Sequence, residues 1–420
     1  MSLTKKETVE EYLKDFTLTS ENPSVSDDGA QNATLVEQVH IGKVSLPRYV
    51  NEFWTSRQRQ ASSIHEVSYR ACFKPQLPGF FIGLLTSPGD KVYDPFSGRG
   101  TTVVEAALRG GEAVASDVNP LSRLFTRPRL EVPSIEELSR RLSEITFDYS
   151  LGAGLDLSMF YHRATEAEIV SLRRYLQKRW EKGREDEVDR WIRMVATNRL
   201  TGHSPGFFSV YTLPPNQAVS RERQVKINKK RNLIPPYRDI RQLILKKSRS
   251  LLRGLSREDL SNLRKCSETA LLLESDSRNT PEIPSETIQL TVTSPPFLDV
   301  VQYSRDNWLR CWFNMIDPVE IEKKLTQAVT VKEWSLVMGE TFKELYRITR
   351  PGGWVAFEVG EVKNSSINLD EYVVPLGLEA GFTCVGVLVN LQEFTKTSNI
   401  WGINNNRFGT NTNRVVLFLK

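Results

Sequence analysis

The chain has 420 residues, of which 39% are hydrophobic and 25% are charged, and its formal net charge at pH 7 is +5. This composition is that of a globular protein with room for a large core, and no apolar run approaches the roughly 18 residues of a membrane-spanning helix. The four cysteines and four histidines lie far apart, which argues against a disulfide framework or a metal site.

Residues 1–44 are predicted to form a short helix followed by a flexible arm. A helix over residues 5–16 places Val9, Tyr12, Leu13 and Phe16 on one face, which can dock on the body of the protein. Residues 17–34 are rich in Ser, Asn, Asp and Gly and have little to bury. The N-terminus has no apolar signal core, so we expect an unexported protein.

A strand, a glycine turn, a helix and a second strand then follow in the order of a nucleoside-binding Rossmann-like unit. The first strand ends in Asp94, and the turn Pro95-Phe-Ser-Gly-Arg-Gly-Thr-Thr102 contains Gly98 and Gly100, which we expect to let a ligand approach the backbone. The second strand ends in Asp117, 19 residues after Gly98, where a carboxylate accepts hydrogen bonds from ribose hydroxyls.

The kind of nucleoside is indicated by what this unit lacks. Val103 stands where a dinucleotide site has its third glycine, and no Gly-Lys-Ser/Thr sequence is present to hold a triphosphate. Asp94 would repel a pyrophosphate but would accept hydrogen bonds from the ammonium of an amino acid. The pattern therefore favours S-adenosylmethionine, with another nucleotide or a purely structural turn as alternatives.

Residues 125–268 interrupt this rhythm and are predicted to form a mostly helical insertion. Ser134 with Glu137 and Thr165 with Glu168 have the spacing of capping boxes, which would each open a helix. Residues 221–249 contain eleven Lys or Arg and two acids. This run is a candidate for phosphate contacts, and a solvated helical face is the alternative. Phe207, Phe208 and Tyr211 either contact the nucleic acid directly or belong to the core of the insertion.

The sheet resumes at residues 269–273, and a further strand runs into Thr293-Ser-Pro-Pro-Phe297. Because the prolines fix φ, the Ser294 hydroxyl and adjoining carbonyls are held as acceptors for the two hydrogens of an exocyclic amine. Phe297 adds a face for stacking a base. A strand-ending turn is the alternative, since Leu213-Pro-Pro-Asn216 and Ile234-Pro-Pro-Tyr237 are two further diproline sites. Residues 383–389 and 414–419 are predicted to be an antiparallel closing pair.

The two motifs together resemble those of the amino-group DNA methyltransferases, which methylate cytosine N4 or adenine N6. The resemblance covers residues 64–122 and 269–420, and the motif order is that of a permutation class in which the insertion recognises the DNA target. Members with Ser in the first diproline position are mostly cytosine-N4 enzymes, so Ser294 implies cytosine N4. Arg99 departs from the small residue of many members.

The resemblance implies three groups of site residues. The catalytic group is Ser294, Pro295, Pro296 and Phe297. The cofactor group is Phe73, Lys74, Pro75, Asp94, Pro95, Phe96, Ser97, Gly98, Gly100, Thr101, Thr102, Asp117, Asn119, Ser275 and Asp276. The DNA-binding group is Arg221, Arg223, Lys226, Lys229, Lys230, Arg231 and Tyr303, of which Tyr303 has helix packing as an equal alternative.

We therefore predict an α/β fold with a Rossmann-like class I methyltransferase sheet, mostly parallel, closed by an antiparallel strand. Its catalytic domain would comprise residues 45–124 and 269–420, with the insertion at residues 125–268. The expected reaction is direct in-line transfer of methyl from S-adenosylmethionine to a flipped cytosine. Attack by a cysteine on the ring is disfavoured because no cysteine follows a proline.

The resemblance also sets the expected partners and setting. Double-stranded DNA is the expected partner, with a cognate restriction endonuclease if the protein serves restriction-modification, and the prokaryotic cytoplasm is the expected location. No membrane or metal partner is expected. The rival functions are adenine-N6 methylation of DNA, guanine-N2 methylation of tRNA, and DNA-binding regulation without catalysis.

Overall fold

The computed structural model describes residues 5–18, 33–55, 61–69, 72–213, 218–296, 303–325, 328, 330–362, 367–391 and 413–420. The strands in these ranges are β1 (Leu35–Ile41), β2 (Val44–Asn51), β3 (Lys91–Asp94), β4 (Glu112–Ser116), β5 (Leu271–Leu273), β6 (Ile288–Thr293), β7 (Thr349–Val359), β8 (Glu361–Val362), β9 (Ile367–Asn368), β10 (Thr383–Asn390) and β11 (Asn413–Leu419).

The helices in the same ranges lie between these strands and in the insertion. They are α1 (Lys6–Lys14), α2 (Gln76–Leu85), α3 (Thr101–Leu108), α4 (Leu121–Leu130), α5 (Ile135–Glu144), α6 (Arg163–Glu181), α7 (Glu187–Arg199), α8 (Arg221–Arg231), α9 (Ile240–Leu252), α10 (Arg257–Thr269), α11 (Tyr303–Asn314), α12 (Pro318–Lys324), α13 (Val331–Ile348) and α14 (Asp370–Ala380). None of them combines the length and apolar character needed to cross a bilayer.

Nine of the described strands form one sheet in the order β1-β2-β10-β11-β7-β6-β3-β4-β5. The neighbours from β7 to β5 are all parallel, whereas β11 runs antiparallel to both β7 and β10. The predicted α/β class and the antiparallel closing pair are therefore confirmed. All six residues of β6 are buried, as expected for a central strand covered on both faces.

Helices cover both faces of the sheet. Side chains from α1, α2, α3 and α10 pack on one face, and those from α13 and α14 pack on the other. A third hydrophobic cluster joins α4 to α7, α9 and α11, so the helices of the predicted insertion share a core with the helix that follows the Ser294 motif. That shared core places the insertion beside the carboxyl edge of β6.

The N-terminal segment differs from the predicted arm. Val9 and Leu13 are fully buried, so the predicted docking of the first helix is confirmed. Residues 35–44, however, include β1 and the start of β2, and β2 pairs in parallel with β10. Most side chains of β1 are exposed. An edge strand with a solvated face has no apolar pattern to separate it from a linker.

One of the two predicted capping boxes is present and the other is wrong. Ser134 and Glu137 bond each other's backbone at the start of α5. Helix α6 instead begins at Arg163, and His162 is its N-cap residue. The Thr165 hydroxyl donates to the Arg238 carbonyl at 3.0 Å, and Glu168 accepts hydrogen bonds from residues outside the helix. The side chains of Thr165 and Glu168 therefore bond to residues distant in the sequence, and they do not cap the helix.

Candidate active site

The two motifs lie on neighbouring strands. Strand β3 pairs in parallel with β6, with Tyr93 opposite Thr291, so Asp94 and Ser294 emerge at the same edge of the sheet. The Thr293 hydroxyl donates to Oδ1 of Asp94 at 2.6 Å. The Thr102 hydroxyl, in the first turn of α3, donates to the Val292 carbonyl at 3.1 Å. Two hydrogen bonds therefore fix the glycine turn to the strand that carries Ser294.

Asp94 is a buried carboxyl with spare hydrogen-bonding capacity. It is 1% exposed, and its Oδ1 accepts from the Thr293 hydroxyl and from the Phe96 amide. Its Oδ2 has no hydrogen-bond partner among the described residues. Burial raises the pKa of Asp94 to about 6, and the bond from Thr293 limits that rise. A cationic ligand at Oδ2 would lower this pKa and satisfy the free oxygen.

Asp117 is held by the glycine turn. The Gly98 amide donates to its Oδ2 at 2.8 Å, and the Asn119 amide donates to its Oδ1 at 2.9 Å. Gly98 has a φ of 53°, a value that favours glycine. Burial raises the pKa of Asp117 to about 6. Each carboxylate oxygen keeps a lone pair for a hydroxyl donor, which is the chemistry predicted for this position.

Gly100 allows close packing beside the turn, and its role in the approach of a ligand stays a prediction. A Cβ at this position would lie 2.2 Å from the Thr126 hydroxyl oxygen, so the glycine allows α4 to pack against the start of α3. Its φ of 73° also favours glycine. Thr101 and Thr102 are buried, and their hydroxyls are engaged by Arg99 and by the Val292 carbonyl. Thr101 and Thr102 therefore stabilise the glycine turn from the interior of the protein.

Arg99 joins the turn to the segment before β3. Its guanidinium, which is 8% exposed, donates to the carbonyls of Val67 and Phe73 and to the Thr101 hydroxyl. Phe73, Lys74 and Pro75 are thereby held beside the glycine turn, as the resemblance implies. Burial and the charge of Arg99 lower the pKa of Lys74. Arg99 is therefore an internal brace.

The end of β5 adds further polar atoms. The Asp117 amide donates to the Leu273 carbonyl at 3.2 Å, which brings Ser275 and Asp276 to the same edge. The hydroxyls of Ser97 and Ser275 are buried without a hydrogen-bond partner among the described residues. Asp276 is already paired with Arg278, at 2.7 Å between Oδ2 and Nη2. The carboxyl ends of β3 and β5 thus carry buried polar atoms that have no partner among the described residues, at Asp94, Ser97 and Ser275.

Ser294 has a partner that the sequence did not reveal. The side chain of Ser294 forms a hydrogen bond with Glu358, a side chain 8% exposed near the end of β7, which runs parallel to β6, and the serine hydroxyl is the donor when Glu358 is ionised. Burial raises the pKa of Glu358 to about 7, and the bond from Ser294 opposes that rise. An acid near the end of an apolar strand, as in Trp354-Val-Ala-Phe-Glu358, was the available signal.

The diproline segment is fixed on one side. Pro295 is buried, and the Pro296 carbonyl accepts a hydrogen bond from the indole of Trp334 at 3.0 Å. That carbonyl is therefore engaged by the protein. Phe297 lies outside the described residues, as does the side chain of Tyr303 at the start of α11.

The predicted DNA-binding side chains lie together on α8 and all are exposed: Arg221, Arg223, Lys226, Lys229, Lys230 and Arg231. The segment before α8 is attached to α11, because the Ala218 amide donates to the Asp306 carbonyl and the Trp308 indole donates to the Val219 carbonyl. Helix α11 begins nine residues after Ser294. One end of α8 is thereby attached to the helix that follows the Ser294 motif.

The aromatic residues of the preceding loop have an internal role. Phe207 and Phe208 are 9% and 0% exposed and belong to the interior of the insertion. Arg231 lies 4.2 Å over the ring of Tyr211. Of the two alternatives for these residues, the core assignment is confirmed for Phe207 and Phe208.

The first part of the chain is similar to a known protein family. A family model described as a DNA methylase of the N6/N4 class matches residues 4–122. Residues 4–122 are thus similar to this family of DNA methylases. The match contains the glycine turn and Asp117, and it agrees with the predicted resemblance. The Ser294 motif lies beyond the matched residues.

Two curated relatives carry related names. The Type II methyltransferase M.MvaI of Kocuria varians is 34% identical over 97 residues, which are 22% of this chain and 20% of the relative. The Type II methyltransferase M.MjaII of Methanocaldococcus jannaschii is 29% identical over 105 residues, which are 24% of this chain and 20% of the relative. The matches thus span a fifth of each relative's length.

Solved structures with partial likeness are also methyltransferases. A geranyl diphosphate methyltransferase has a TM-score of 0.34 at 8% identity, over 82% of this chain and 85% of that one. The rRNA methyltransferase aviRa from Streptomyces viridochromogenes has a TM-score of 0.32 at 12% identity, over 86% and 91% of the two chains. These scores are low, and the fold assignment rests on the strand order.

Proposed function

We propose that the protein is an S-adenosylmethionine-dependent DNA methyltransferase that methylates the exocyclic N4 of a flipped cytosine in a specific duplex sequence. The observation that carries the proposal is the 2.6 Å hydrogen bond between Thr293 and Asp94, which joins the glycine turn to the Ser294 motif at one sheet edge. Transfer between a cofactor and a base requires this neighbourhood, because the reacting atoms must approach within about 3–3.5 Å.

The cofactor would be held by polar groups that follow β3, β4 and β5. Oδ2 of Asp94, which has no partner among the described residues, would accept from the ammonium of the methionine moiety. Asp117 would accept from the ribose hydroxyls, and Ser275 and Asp276 would border the adenine. When bound, S-adenosylmethionine supplies an electrophilic methyl group on a sulfonium. Asp94 must be ionised for its task, and the nearby cation favours that form.

Ser294 would orient the target amine. Because its hydroxyl hydrogen is directed to Glu358, the lone pairs of Ser294 Oγ are free to accept a hydrogen from the amine. A second hydrogen would be accepted by an adjoining carbonyl, and both bonds favour a more tetrahedral nitrogen whose lone pair faces the methyl group. The methylated nitrogen then releases a proton to Ser294 Oγ as the Ser294 proton passes to Glu358.

DNA would lie against α8, with the target base at the end near α11. Six exposed cations on this helix match the charge of a phosphate backbone. Base flipping is required because a base inside a duplex cannot reach the edge where Ser294 lies. The proposed substrate, chromosomal DNA, would place the protein in the prokaryotic cytoplasm, and a cognate endonuclease would accompany it in a restriction-modification system.

The decisive experiment is a nucleoside count by mass spectrometry after incubation of the full chain with methyl-labelled S-adenosylmethionine and genomic DNA, or with tRNA in parallel. We expect label in N4-methylcytosine from DNA. Label in N6-methyladenine would replace the cytosine assignment, and label in tRNA alone would refute DNA as the substrate. Absence of any label, with DNA binding retained, would support the alternative that the protein is a DNA-binding regulator without catalytic activity.

A further inference from the structure

The link between α8 and α9 carries an exposed apolar surface. Ile234 is 85% exposed, and Tyr237 is 49% exposed. Pro235 and Pro236 between them fix φ, so the projection of these side chains is set by the backbone. A side chain of this size gains about 1.5–3 kcal/mol when it is removed from water, which gives a preformed surface of this kind affinity for a partner.

A buried carboxylate holds this surface in place. Glu168 is 1% exposed and accepts hydrogen bonds from the hydroxyls of Tyr237 at 2.8 Å and Tyr149 at 3.2 Å. Its other oxygen accepts from the Ile240 amide at 3.2 Å. Two half-exposed aromatic side chains are thereby anchored through their polar ends. We call Tyr149, Ile234 and Tyr237 the apolar tip.

The surroundings of the apolar tip select its partner. Residues 221–241 contain eight Lys or Arg and two acids, and the cations on α8 are exposed. A protein surface that matched this charge would have to be strongly acidic, whereas a duplex presents phosphates beside apolar base faces and thymine methyl groups. An apolar side chain bordered by cations is the arrangement that groove-entering proteins use.

The distance along the helix can be estimated. Helix α8 has 11 residues, which span about 16 Å at ~1.5 Å per residue. The three residues up to Ile234 add up to about 10 Å. Ile234 therefore lies at most about 26 Å from the end of α8 that is attached to α11, which corresponds to roughly 8 base pairs or fewer at ~3.4 Å each.

We propose that the apolar tip is a second DNA contact, which enters a groove within about 8 base pairs of the target base on one side of it. This inference rests on the proposed function, since it assumes that the target base lies near α11. It adds a length requirement: the duplex must extend past the basic helix on that side for full affinity.

The test uses the full chain and fluorescein-labelled duplexes with a single methylated site, located by sequencing methylated bases in treated genomic DNA. One duplex extends 12 base pairs on both sides of the target, and two others are cut to about 3 base pairs on one side or the other. We expect one of the short duplexes to bind about tenfold more weakly than the long one, by fluorescence anisotropy. The Ile234→Ala/Tyr237→Ala variant should lose this tenfold advantage.

Controls separate this result from general damage. Leu336→Ala removes another exposed apolar side chain, from α13, and should bind every duplex like the parent protein. Ile234→Ala alone changes an exposed residue and should fold normally, with a smaller loss confined to the same duplex. The dependence of affinity on salt should be unchanged in both variants, because no charge is removed.

The inference is overturned if the variants keep the length advantage, as they would if the tip binds a protein. It is also overturned if they lose affinity equally for all duplexes. Failure of the proposed function is distinguishable, because it would appear as the absence of methyl transfer by the parent protein and not as a change in length dependence.

Discussion

Two diproline segments of this chain have opposite environments. Pro295 follows a fully buried strand, and the preceding Ser294 is hydrogen-bonded to a buried carboxyl. Pro235 follows Ile234, which is almost fully exposed, in an extended link between two helices. In both places the prolines fix φ, but the surroundings decide what is held: an acceptor at a sheet edge in the first, an apolar surface in the second.

The charges around the two segments differ in the same way. Three carboxyls at the sheet edge, those of Asp94, Asp117 and Glu358, are withdrawn from bulk water and have raised pKa values. The link between α8 and α9 is bordered by exposed cations. The sheet edge is therefore suited to a cationic ligand, and the insertion is suited to a polyanion.

The largest expected effect is at the buried segment. Ser294→Ala removes the acceptor that orients the amine and should lower the rate constant of methyl transfer by about 10²–10³-fold. DNA affinity should change less than twofold, because the cations of α8 remain. The measurement pairs single-turnover methyl transfer with fluorescence anisotropy, and Ser143→Ala on exposed α5 is the matched control. A transfer rate close to that of the parent protein would remove Ser294 from catalysis.

The next effect is at the exposed segment. Replacing Lys226, Lys229 and Lys230 by Ala removes three cations from the outer face of α8 without touching Arg231, whose guanidinium lies over Tyr211. The slope of log Kd against log salt should fall by about 2.7 if each lysine contacts a phosphate, and affinity at moderate salt should fall by roughly 100-fold.

The matched control for that variant removes the same charge elsewhere. Lys178, Lys182 and Arg184 are exposed at the far end of α6 and its following turn. Their replacement by Ala should leave the salt slope within experimental error. Equal slopes for the two triple variants would mean that α8 is only a solvated helical face.

The contrast between the segments also shows what sequence reasoning can reach. Asp94 and Ser294 were predictable because short motifs at strand ends carry a local signature, and parallel strand order then brings such ends together. The partner of Ser294 was not predictable in this way. Glu358 lies 64 residues further along the chain, and its contact depends on the register of β6 against β7.

The errors have a common physical cause. Thr165 has the spacing of a helix cap, but its hydroxyl bonds a carbonyl 73 residues away. Residues 35–44 have an edge strand's solvated pattern. In each case a tertiary neighbour decided the role of a residue whose local signal was correct or weak.

The Kd for the cofactor is expected to rise about tenfold for each unit that the pH falls below 6. The pKa of Asp94 in the ligand-free protein is raised to about 6, so the carboxylate that binds an ammonium is lost as pH falls through 6. The Kd for S-adenosylmethionine, measured by calorimetry, should be constant above about pH 7 and rise steadily below 6.

Asp94→Asn tests the Asp94 carboxyl through the stability of the ligand-free protein as well as through cofactor binding. Because the folded pKa exceeds the unfolded value, the carboxyl favours folding most at low pH, and that contribution is lost as pH rises through 6. The neutral amide should therefore raise the melting temperature of the ligand-free protein at pH 8 while weakening cofactor binding. A variant that binds the cofactor like the parent protein, with the same pH dependence, would show that Asp94 faces no cation.

The smallest of these effects, about tenfold, is expected at Glu358. Its pKa of about 7 means that the carboxylate predominates only above that pH, so kcat/KM for DNA at saturating S-adenosylmethionine should rise through pH 7 and then level. Glu358→Gln keeps an acceptor for the Ser294 hydroxyl but cannot take up a proton. The variant should be about tenfold slower at pH 8 and should show no rise between pH 6 and pH 8, with DNA affinity unchanged. A variant that is slower but retains the rise would identify Glu358 as a group that only positions Ser294, and the proton would then have to leave the methylated nitrogen by another route.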